Sequence, residues 1–366
     1  MEKTIYIGMD VHTTNYTLCA MGVEGRKYFA ETQIEPDVKI LVKYFKRIQE
    51  QHPDTKLMCG YEAGCLGYSL YEQVTAKGYE CVILAPTKIP HTQNEIKTDK
   101  RDARKIAECL ANGTYSKVYV VSDEDNAVKE YIRMRDASKE NLKRIKQQII
   151  SLCTRHGKHY PGRSYWTQAH LEWLKKVVFD NSLMNETLNE YMITFNYLKD
   201  KIERFDERIE ELAKQKEYAK KTSMLGCFVG IKTHTALSAV SEIGDFSRFP
   251  TATQFASFLG LVPGEQSSGG NQNRKGITKT GNTHLRKLLI EAANCYGRCT
   301  TKKSAALKAR QKGNDPDVIA YADKANDRMR RKYMRIAMRS KSNIAKCAVA
   351  RELACYIWGM MNEKIY

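Results

Sequence analysis

The sequence lacks the marks of several protein classes. No two of its 11 cysteines stand in a Cys-x-x-Cys pair, so neither a disulfide framework nor a zinc ribbon is indicated. No apolar run approaches the length that crosses a bilayer, and the strand-like start contains no stretch of the signal-peptide type. With 42% hydrophobic and 28% charged residues in 366, the chain is neither a disordered acidic tail nor a collagen-like repeat. We therefore expect a soluble, intracellular protein of two or three domains.

Positive charge is concentrated near the end of the chain. The formal net charge is +18, and residues 271–351 hold 21 Lys and Arg against 5 acids. A cationic region this dense favours a polyanionic partner, of which nucleic acid is the commonest. The alternative is a basic surface that is merely solvated.

The first of three segments, residues 1–125, predicts an α/β domain. Alternating apolar residues in 5–11 are followed at hairpin spacing by two further strands, and then by a helix, a strand, a second helix and a fifth strand. This β-β-β-α-β-α-β order predicts a mixed β-sheet with helices on its faces.

The second segment, residues 126–220, predicts long helices. Apolar residues alternate in steps of four and three for about four heptads, as in a coiled coil; they are Met184, Leu188, Tyr191, Phe195, Leu198, Ile202, Phe205, Ile209 and Leu212. Such a seam needs a partner helix, either the earlier helical arm folded back or another copy of the chain. We favour a contribution to oligomerisation. The third segment, residues 221–366, is helix-rich and basic, with one Gly/Ser/Asn loop at 264–276.

Four acids stand where they can converge. Asp10 ends the first strand, Glu62 follows a later apolar strand, and Asp99 and Asp102 share one face of a helix start. Oxygen-only ligands suit Mg²⁺ or Mn²⁺, and phosphoryl transfer commonly uses two such ions about 4 Å apart. The alternatives are a strand-end cap and acids that stabilise the helix dipole. An actin-like ATPase is disfavoured, because no glycines follow Asp10 to cradle a phosphate.

The motifs GMDVH (8–12), GYEAG (60–64) and KTDKRDA (97–103) resemble, in that order and spacing, a known signature. It is the DEDD signature of the RuvC-like domain in transposases of the insertion sequence 110 family. The resemblance implies a RuvC/RNase H-like fold for residues 1–125 and a Mg²⁺ site, with Mn²⁺ possible, at Asp10, Glu62, Asp99 and Asp102. It also implies a C-terminal transposase domain and guidance of the recombinase by a non-coding bridge RNA.

The Gly-rich loop after residue 263 contains two serines, Ser267 and Ser268. Taken alone they are turn residues, since no histidine stands beside them in sequence to activate a hydroxyl. The resemblance implies instead that a loop serine attacks DNA. Alignment from the GLVP motif (260–263) places this nucleophile at Ser268, with Ser267 the weaker choice. The implied reaction is transesterification with a covalent phosphoserine intermediate.

Residues 225–232 resemble a helix-hairpin-helix element that holds a phosphate, although only the first glycine of its usual motif is present, at Gly230. An ordinary helix–helix turn is the alternative. We expect nucleic acid to contact basic side chains of the first and third segments. They are Lys97, Lys100, Arg101, Arg104, Lys232, Arg274, Lys275, Lys279, Arg286 and Lys287.

The leading hypothesis is an RNA-guided DNA transposase that acts as a homo-oligomer, a dimer or tetramer, on donor and target DNA. A RuvC-like junction endonuclease that uses the four acids and water is a second hypothesis. A non-catalytic RNA- or DNA-binding protein is a third. We expect no membrane partner and a cytoplasmic, nucleoid-associated location in a prokaryote.

Overall fold

The computed structural model describes residues 3–22, 27–64, 66–86, 98–265 and 274–365, and at residue 274 the backbone alone. The chain divides into two compact units, Met1–Val120 and Val121–Tyr366. Among the described residues, no helix has both the length and the apolar character needed to cross a membrane.

The N-terminal unit is a five-stranded sheet with helices on its two faces. Strand β1 is the centre of the sheet, whose order is β3-β2-β1-β4-β5; β1 pairs antiparallel with β2 and parallel with β4. The elements are β1 (Lys3–Val11), β2 (Tyr16–Gly22), β3 (Tyr28–Ile34), α1 (Val38–Gln51), β4 (Thr55–Glu62), α2 (Ser69–Thr75), β5 (Glu80–Leu84) and α3 (Asp99–Asn112). The predicted strand and helix order and the mixed sheet are confirmed.

The two faces of this sheet are covered by different helices. Ile7 and Met9 of β1 are fully buried in a core that includes Phe45 of α1. Because strand side chains alternate between faces, the intervening Gly8 and the following Asp10 lie on the other face. That face is covered by α3.

The C-terminal unit is almost entirely helical. Its elements are α4 (Asp123–Arg155), α5 (Gln168–Lys176), α6 (Ser182–Leu212), α7 (Lys216–Leu225), α8 (Thr233–Ile243), α9 (Ala252–Phe258), β6 (Pro263–Glu265), β7 (Arg274–Ile277), α10 (Thr283–Asn294), α11 (Ala305–Gln311), α12 (Pro316–Ala337) and α13 (Ser342–Met361). A short 3₁₀ helix, Cys295–Gly297, follows α10. The helix-rich character predicted for this part of the chain is confirmed.

The long apolar seam lies on α6, and α4 of the same chain packs along that helix. Phe205 meets Tyr131 edge to face, with ring centroids 5.0 Å apart. Farther along the pair, Phe195 shares a core with Ile149 and Leu152 of α4. The partner helix is thus the earlier arm folded back, so covering this seam needs no second copy, and the favoured contribution to oligomerisation stays a prediction. The packing does not establish a supercoil.

The helical arm is not separated from the C-terminal helices by a core boundary. Ile132 of α4 and Ile209 of α6 belong to the same buried cluster as Leu237 of α8 and Val349 of α13. Residues 126–220 and 221–366, treated as separate segments in the sequence, therefore share one hydrophobic core. The reason is that both arms carry apolar residues on the face that meets α8.

Candidate active site

The ends of two neighbouring parallel strands bring Asp10 and Glu62 to one edge of the sheet. In the β1–β4 pair Met9 is opposite Tyr61, so the next residues along the two strands are Asp10 and Glu62. Both follow a residue that is buried against the α1 face. Alternation therefore places both carboxylates on the α3 face.

A glycine allows α3 to approach β1 closely. A Cβ atom on Gly8 would overlap the carbonyl oxygen of Ala103 and the amide nitrogen of Ala107. Residue 8 must therefore be glycine for helix and strand to meet backbone to backbone. The Thr98 side chain caps the helix by accepting a hydrogen bond from the amide of Arg101 at 3.4 Å. This packing brings the first turn of α3 to the end of β1.

Asp10 and Asp99 meet at this edge, together with a histidine. One ligand atom from each of Asp10, His12 and Asp99 lies within 4.8 Å of the other two, and this is the one such group of three among the described residues. His12 Nε2 lies 3.4 Å from Asp10 Oδ2. The Asp10 side chain is 18% exposed and that of His12 is 50% exposed. Glu62 and Asp102 are not members of the group.

The surroundings of Asp10 penalise its negative charge. Burial raises the pKa of Asp10, and the charges of Asp99 and Asp102 raise it further, whereas His12 lowers it. A partly buried carboxylate beside like charges is stabilised when a cation joins it. The donor set, two carboxylates and an imidazole with more carboxylates nearby, suits a divalent cation. The residues present therefore fit a metal ion.

His12 is a candidate ligand that sequence reasoning missed. It stands two residues after Asp10 at the end of β1 and is half exposed. The period of two along a strand was a signal that could have placed it beside Asp10.

The basic side chains on α3 are engaged by an acid of β3. Lys100 Nζ lies 2.8 Å from Glu31 Oε2, and Arg104 Nη2 donates to the same oxygen at 3.0 Å. The guanidinium of Arg104 also stacks over the Tyr28 ring, 5.0 Å from its centroid. Hydrogen bonds from Arg104 and Lys100 lower the pKa of Glu31 to about 2. Both expected phosphate contacts are thus paired within the N-terminal unit. Arg101 is exposed, and Lys97 lies outside the described residues.

The serine loop lies outside the described residues, with Ser267 and Ser268 in it, but its stem is described. Strands β6 and β7 pair antiparallel on either side of it. Gly281 has φ +69°, and a Cβ there would overlap the carbonyl oxygen of Phe258. The chain after the loop therefore packs directly on the end of α9.

Arg286 was expected to contact nucleic acid, but its side chain is buried and bonded within the protein. It is 7% exposed, and its guanidinium donates to the carbonyl oxygens of Leu259 at 3.0 Å and Thr280 at 2.7 Å. A further bond runs from Nη2 to Thr283 Oγ1 at 2.9 Å. Arg286 thus ties together the two sides of the loop stem, because its guanidinium donates to Leu259 before the loop and to Thr280 and Thr283 after it.

The other expected contacts of this unit lie at its surface. Lys275 and Lys279 on the loop stem are exposed, as is Lys232 at the N-cap of α8. Lys287 Nζ lies 2.6 Å from Glu140 Oε1, with both side chains about half exposed. The side chain of Arg274 lies outside the description.

A network of histidines and acids in the C-terminal unit had no counterpart in the sequence analysis. His284 Nε2 lies 2.8 Å from Asp136 Oδ2, and its Nδ1 lies 3.1 Å from Glu242 Oε1. Asp136 also lies 3.0 Å from His234 Nε2. Glu242 accepts two bonds from Arg133, at 2.8 and 2.9 Å. The members come from α4, α8 and α10, so no local spacing revealed them.

The charges in this network compensate one another. Burial opposes a charged His284, but Asp136 and Glu242 outweigh it and raise its pKa to about 9. Burial likewise opposes a charged Glu242, yet His284 and Arg133 lower its pKa to about 2. The pKa of Asp136 is lowered as well, because its bonds to His234 and His284 outweigh burial. His284 is therefore an imidazolium held between two carboxylates near neutral pH.

Comparison with known proteins identifies the family. A family described as "Transposase IS116/IS110/IS902 family" matches residues 224–309, and a DEDD transposase family of insertion sequence 110 matches residues 7–157. The chain is 31% identical over 351 residues to the transposase for insertion sequence element IS1533 of Leptospira borgpetersenii, covering 93% of this chain and 99% of that protein.

Two further relatives agree. A putative transposase, y4qE, of Sinorhizobium fredii is 33% identical over 83% of this chain and 75% of its own length. The transposase for insertion sequence element IS1111A of Coxiella burnetii is 25% identical over 88% of each chain. The match over residues 7–157 covers the strands and helix that carry Asp10, Glu62, Asp99 and Asp102, and the match over residues 224–309 covers the serine loop and its stem. The chain therefore belongs to the IS116/IS110/IS902 family of insertion-sequence transposases.

Proposed function

We propose that this transposase cuts and rejoins donor and target DNA with the acid cluster of its N-terminal unit and a serine of its C-terminal unit. The observation that carries the proposal is the convergence of Asp10, His12 and Asp99 on a face where burial and like charge raise the pKa of Asp10. An arrangement that disfavours its own negative charge is suited to binding a cation.

Asp10 and Asp99 would hold a divalent ion, Mg²⁺ or Mn²⁺, with Glu62 and Asp102 as the remaining acids of the signature. A bound ion of this kind neutralises charge on a phosphate and its attacking and leaving oxygens. The protein's own contribution is to fix Asp10 on a strand and Asp99 on a helix that the contact at Gly8 holds together. Rigid elements of this kind keep ligand atoms in place better than loops do.

Ser268 is the proposed nucleophile. Its Oγ bonds to phosphorus while the bond to a deoxyribose oxygen breaks; the hydroxyl proton is released and the departing oxygen takes one up. The number of phosphate ester bonds is unchanged, so joining requires no ATP. The hydroxyl of the second strand then reverses the step and frees the serine. Arg286 supports this chemistry by tying the stem of the loop.

The partners proposed are donor and target DNA, a non-coding bridge RNA and further copies of the chain, as a dimer or tetramer. The excess of basic residues in 271–351 supports binding to polyanions. Pairing by RNA would place target specificity outside the protein. We propose that the enzyme works on nucleoid DNA in the cytoplasm of a prokaryote.

The test is a strand-joining assay with the full chain, DNA carrying the element's ends, a target DNA and RNA encoded beside the gene. We expect a protein–DNA adduct that survives denaturation in the wild type and in Ser267→Ala, and none in Ser268→Ala. Asp10→Asn is expected to form neither adduct nor product. An adduct of normal yield in Ser268→Ala contradicts the serine assignment.

A metal-dependent junction endonuclease is the second candidate, because the described acid cluster lies wholly in the N-terminal unit and contains no serine. This candidate predicts free DNA ends without an adduct and equal activity in wild type and Ser268→Ala. The same assay therefore separates the two.

A further inference from the structure

The C-terminal unit contains an open cavity that the acid cluster and the serine loop do not explain. It measures about 900 Å³ and lies among α4, α6, α8 and α10. Small-molecule pockets are lined mainly by apolar side chains. Charged side chains of both signs line this cavity: the basic ones are Arg135, Lys139, Lys143, Lys146, Lys232 and Lys287, and the acidic ones are Asp136, Glu140, Asp206, Glu210 and Glu291.

Three of these lysines form a row on α4. Lys139, Lys143 and Lys146 follow one another in steps of four and three, so they lie along one helix face. At 1.5 Å per residue the row is about 10 Å long. One strand of a nucleic acid carries a charge about every 3.4 Å of helix axis. The row therefore spans about three phosphates of a strand.

In the part of the chain that the structure describes, two lysines of the row are not held in ion pairs, although the pKa of Glu140 is lowered by Lys287 and also by the charge of Lys143. Among the described residues, no carboxylate lies within ion-pair distance of Lys139, Lys143 or Lys232, whereas the other basic groups of the lining are committed. Arg135 binds Asp206 at 2.8 Å, and Lys287 lies 2.6 Å from Glu140. Lys146 lies over the Trp166 ring, 5.1 Å from its centroid.

The floor of the cavity is a rigid network whose charges compensate one another. His284 and His234 line it, and their Nε2 atoms lie 2.8 and 3.0 Å from Asp136, so that α10 and α8 both meet α4 at this residue. Lys232 is the N-cap of α8, a position where helix amides and the helix dipole favour an anion. The cavity thus presents lysines from α4 and from the N-cap of α8 around a rigid network of histidines and acids.

We propose that this cavity binds the phosphodiester backbone of a nucleic acid, with Lys139, Lys143 and Lys232 as its phosphate contacts. The inference rests on the proposed function in that it names one surface by which the transposase holds its DNA or its guide RNA. Both ligands share the backbone phosphates that the lysines recognise, so the experiment has a DNA arm and an RNA arm.

The experiment measures binding of the full chain to a 40-base-pair DNA duplex and to an RNA of equal length, from 0.05 to 0.3 M salt. Each phosphate contact contributes about 0.9 to the slope of log K against log salt for duplex DNA, and about 0.7 for a single strand. The combined variant Lys139→Gln, Lys143→Gln, Lys232→Gln is expected to bind at least about tenfold more weakly and to reduce the slope by about 2 to 3 on one arm or both.

A matched control removes three cations outside the cavity: Arg144→Gln, Lys175→Gln, Lys199→Gln. Arg144 follows Lys143 on α4 but does not line the cavity, and Lys175 and Lys199 are exposed elsewhere. We expect this control to change the slope by less than about 1. Unfolding midpoints of both variants should equal that of the wild type, since every substituted side chain is at least partly exposed.

The proposal is overturned if the cavity variant binds DNA and RNA with wild-type affinity and slope, or if the control loses as much. Failure of the proposed function is distinguishable, because binding is measured without turnover. Asp10→Asn should bind nucleic acid as the wild type does even though it does not cut. Cleavage that persists in Asp10→Asn contradicts the metal site and leaves the cavity result standing.

Discussion

In two clusters of ionisable side chains, one in each unit, the pKa values of the carboxylates are shifted in opposite directions. At the end of β1, Asp10 lies near two other aspartates, and its pKa is raised. Around His284, acids alternate with cations, and the pKa of Glu242 falls to about 2. The first cluster carries like charges that its own residues do not fully compensate. The second compensates itself.

This difference distinguishes a cluster that is suited to binding a cation from one that stabilises the fold. In a compensated network the charged groups already pair with one another in the free protein. Their pairing stabilises the fold, and no uncompensated charge remains to attract a ligand. A cluster of like charges is a cost to the free protein, which a bound cation removes. Substitutions should therefore have opposite effects on activity and stability in the two places.

The largest expected effect is the loss of cleavage in Asp10→Asn. Removing the charge that would hold the metal should lower the cleavage rate by a factor of about 10³ or more, because the ion supplies several kcal/mol of transition-state stabilisation. The free energy of unfolding should not fall, since one like charge has been removed from the cluster. Single-turnover cleavage and chemical denaturation measure the two quantities.

The control for that comparison is Asp54→Asn, at an exposed position of the same unit. It should change neither quantity. Loss of stability in Asp10→Asn together with normal cleavage would make Asp10 a structural residue.

Gly8→Ala should damage the same site through the backbone. The new methyl group would overlap the backbone of α3, so the helix must move or the unit loses about 3 kcal/mol of stability, at the upper end of overpacking costs. Gly22→Ala is the matched strand control, because the nearest atom to its added methyl is 3.9 Å away. Equal unfolding midpoints for the two variants would contradict the close contact between β1 and α3.

His284→Gln tests the compensated cluster. The pKa of His284 rises from 6.5 to about 9 on folding, so its stabilisation is complete below about pH 6.5 and is lost as pH rises through about 9. At pH 7 we expect the variant to lose about 2 to 3 kcal/mol of stability. At pH 10 the difference from the wild type should nearly vanish. Unfolding curves across this range measure it, and a pH-independent difference would contradict a charged His284.

The folded His284→Gln protein should still cleave DNA at low temperature within about threefold of the wild-type rate, since its role is structural. Cleavage lost in the folded protein would place His284 in the catalytic machinery and remove the contrast between the clusters.

Arg286→Lys is expected to have the smallest effect. A lysine ammonium cannot donate to Leu259, Thr280 and Thr283 in the planar arrangement of a guanidinium, so stability should fall by about 1 to 2 kcal/mol. The salt dependence of DNA binding should not change. A reduced salt slope with unchanged stability would return Arg286 to its expected role as a phosphate contact.

Local patterns in the sequence were sufficient for the order of strands and helices in the N-terminal unit. Alternation placed Asp10 at the end of a strand, and the i, i+3 spacing placed Asp99 and Asp102 on one turn of α3. His12 follows the same alternation, but its position alone does not distinguish a metal ligand from any other side chain near a strand end. The approach of α3 through Gly8 depends on tertiary packing, which no local spacing encodes.

The C-terminal unit was harder to predict because its informative contacts are distant in sequence. The α6 seam was evident, but a heptad pattern does not say which helix covers it. Arg286 and Lys287 are adjacent in a basic stretch and have the same local signal. Only the packing of α9 and the loop stem explains why the Arg286 side chain is buried whereas that of Lys287 is exposed.

The central claim is that the acids at the end of β1 bind a divalent cation that cleavage requires. Binding of Mn²⁺ to the full chain, followed by electron paramagnetic resonance or calorimetry, tests it most directly. The wild type and Asp54→Asn should bind the ion alike, and Asp10→Asn and Asp99→Asn should each bind it at least about tenfold more weakly. Unchanged Mn²⁺ affinity in both of the latter variants would contradict the account.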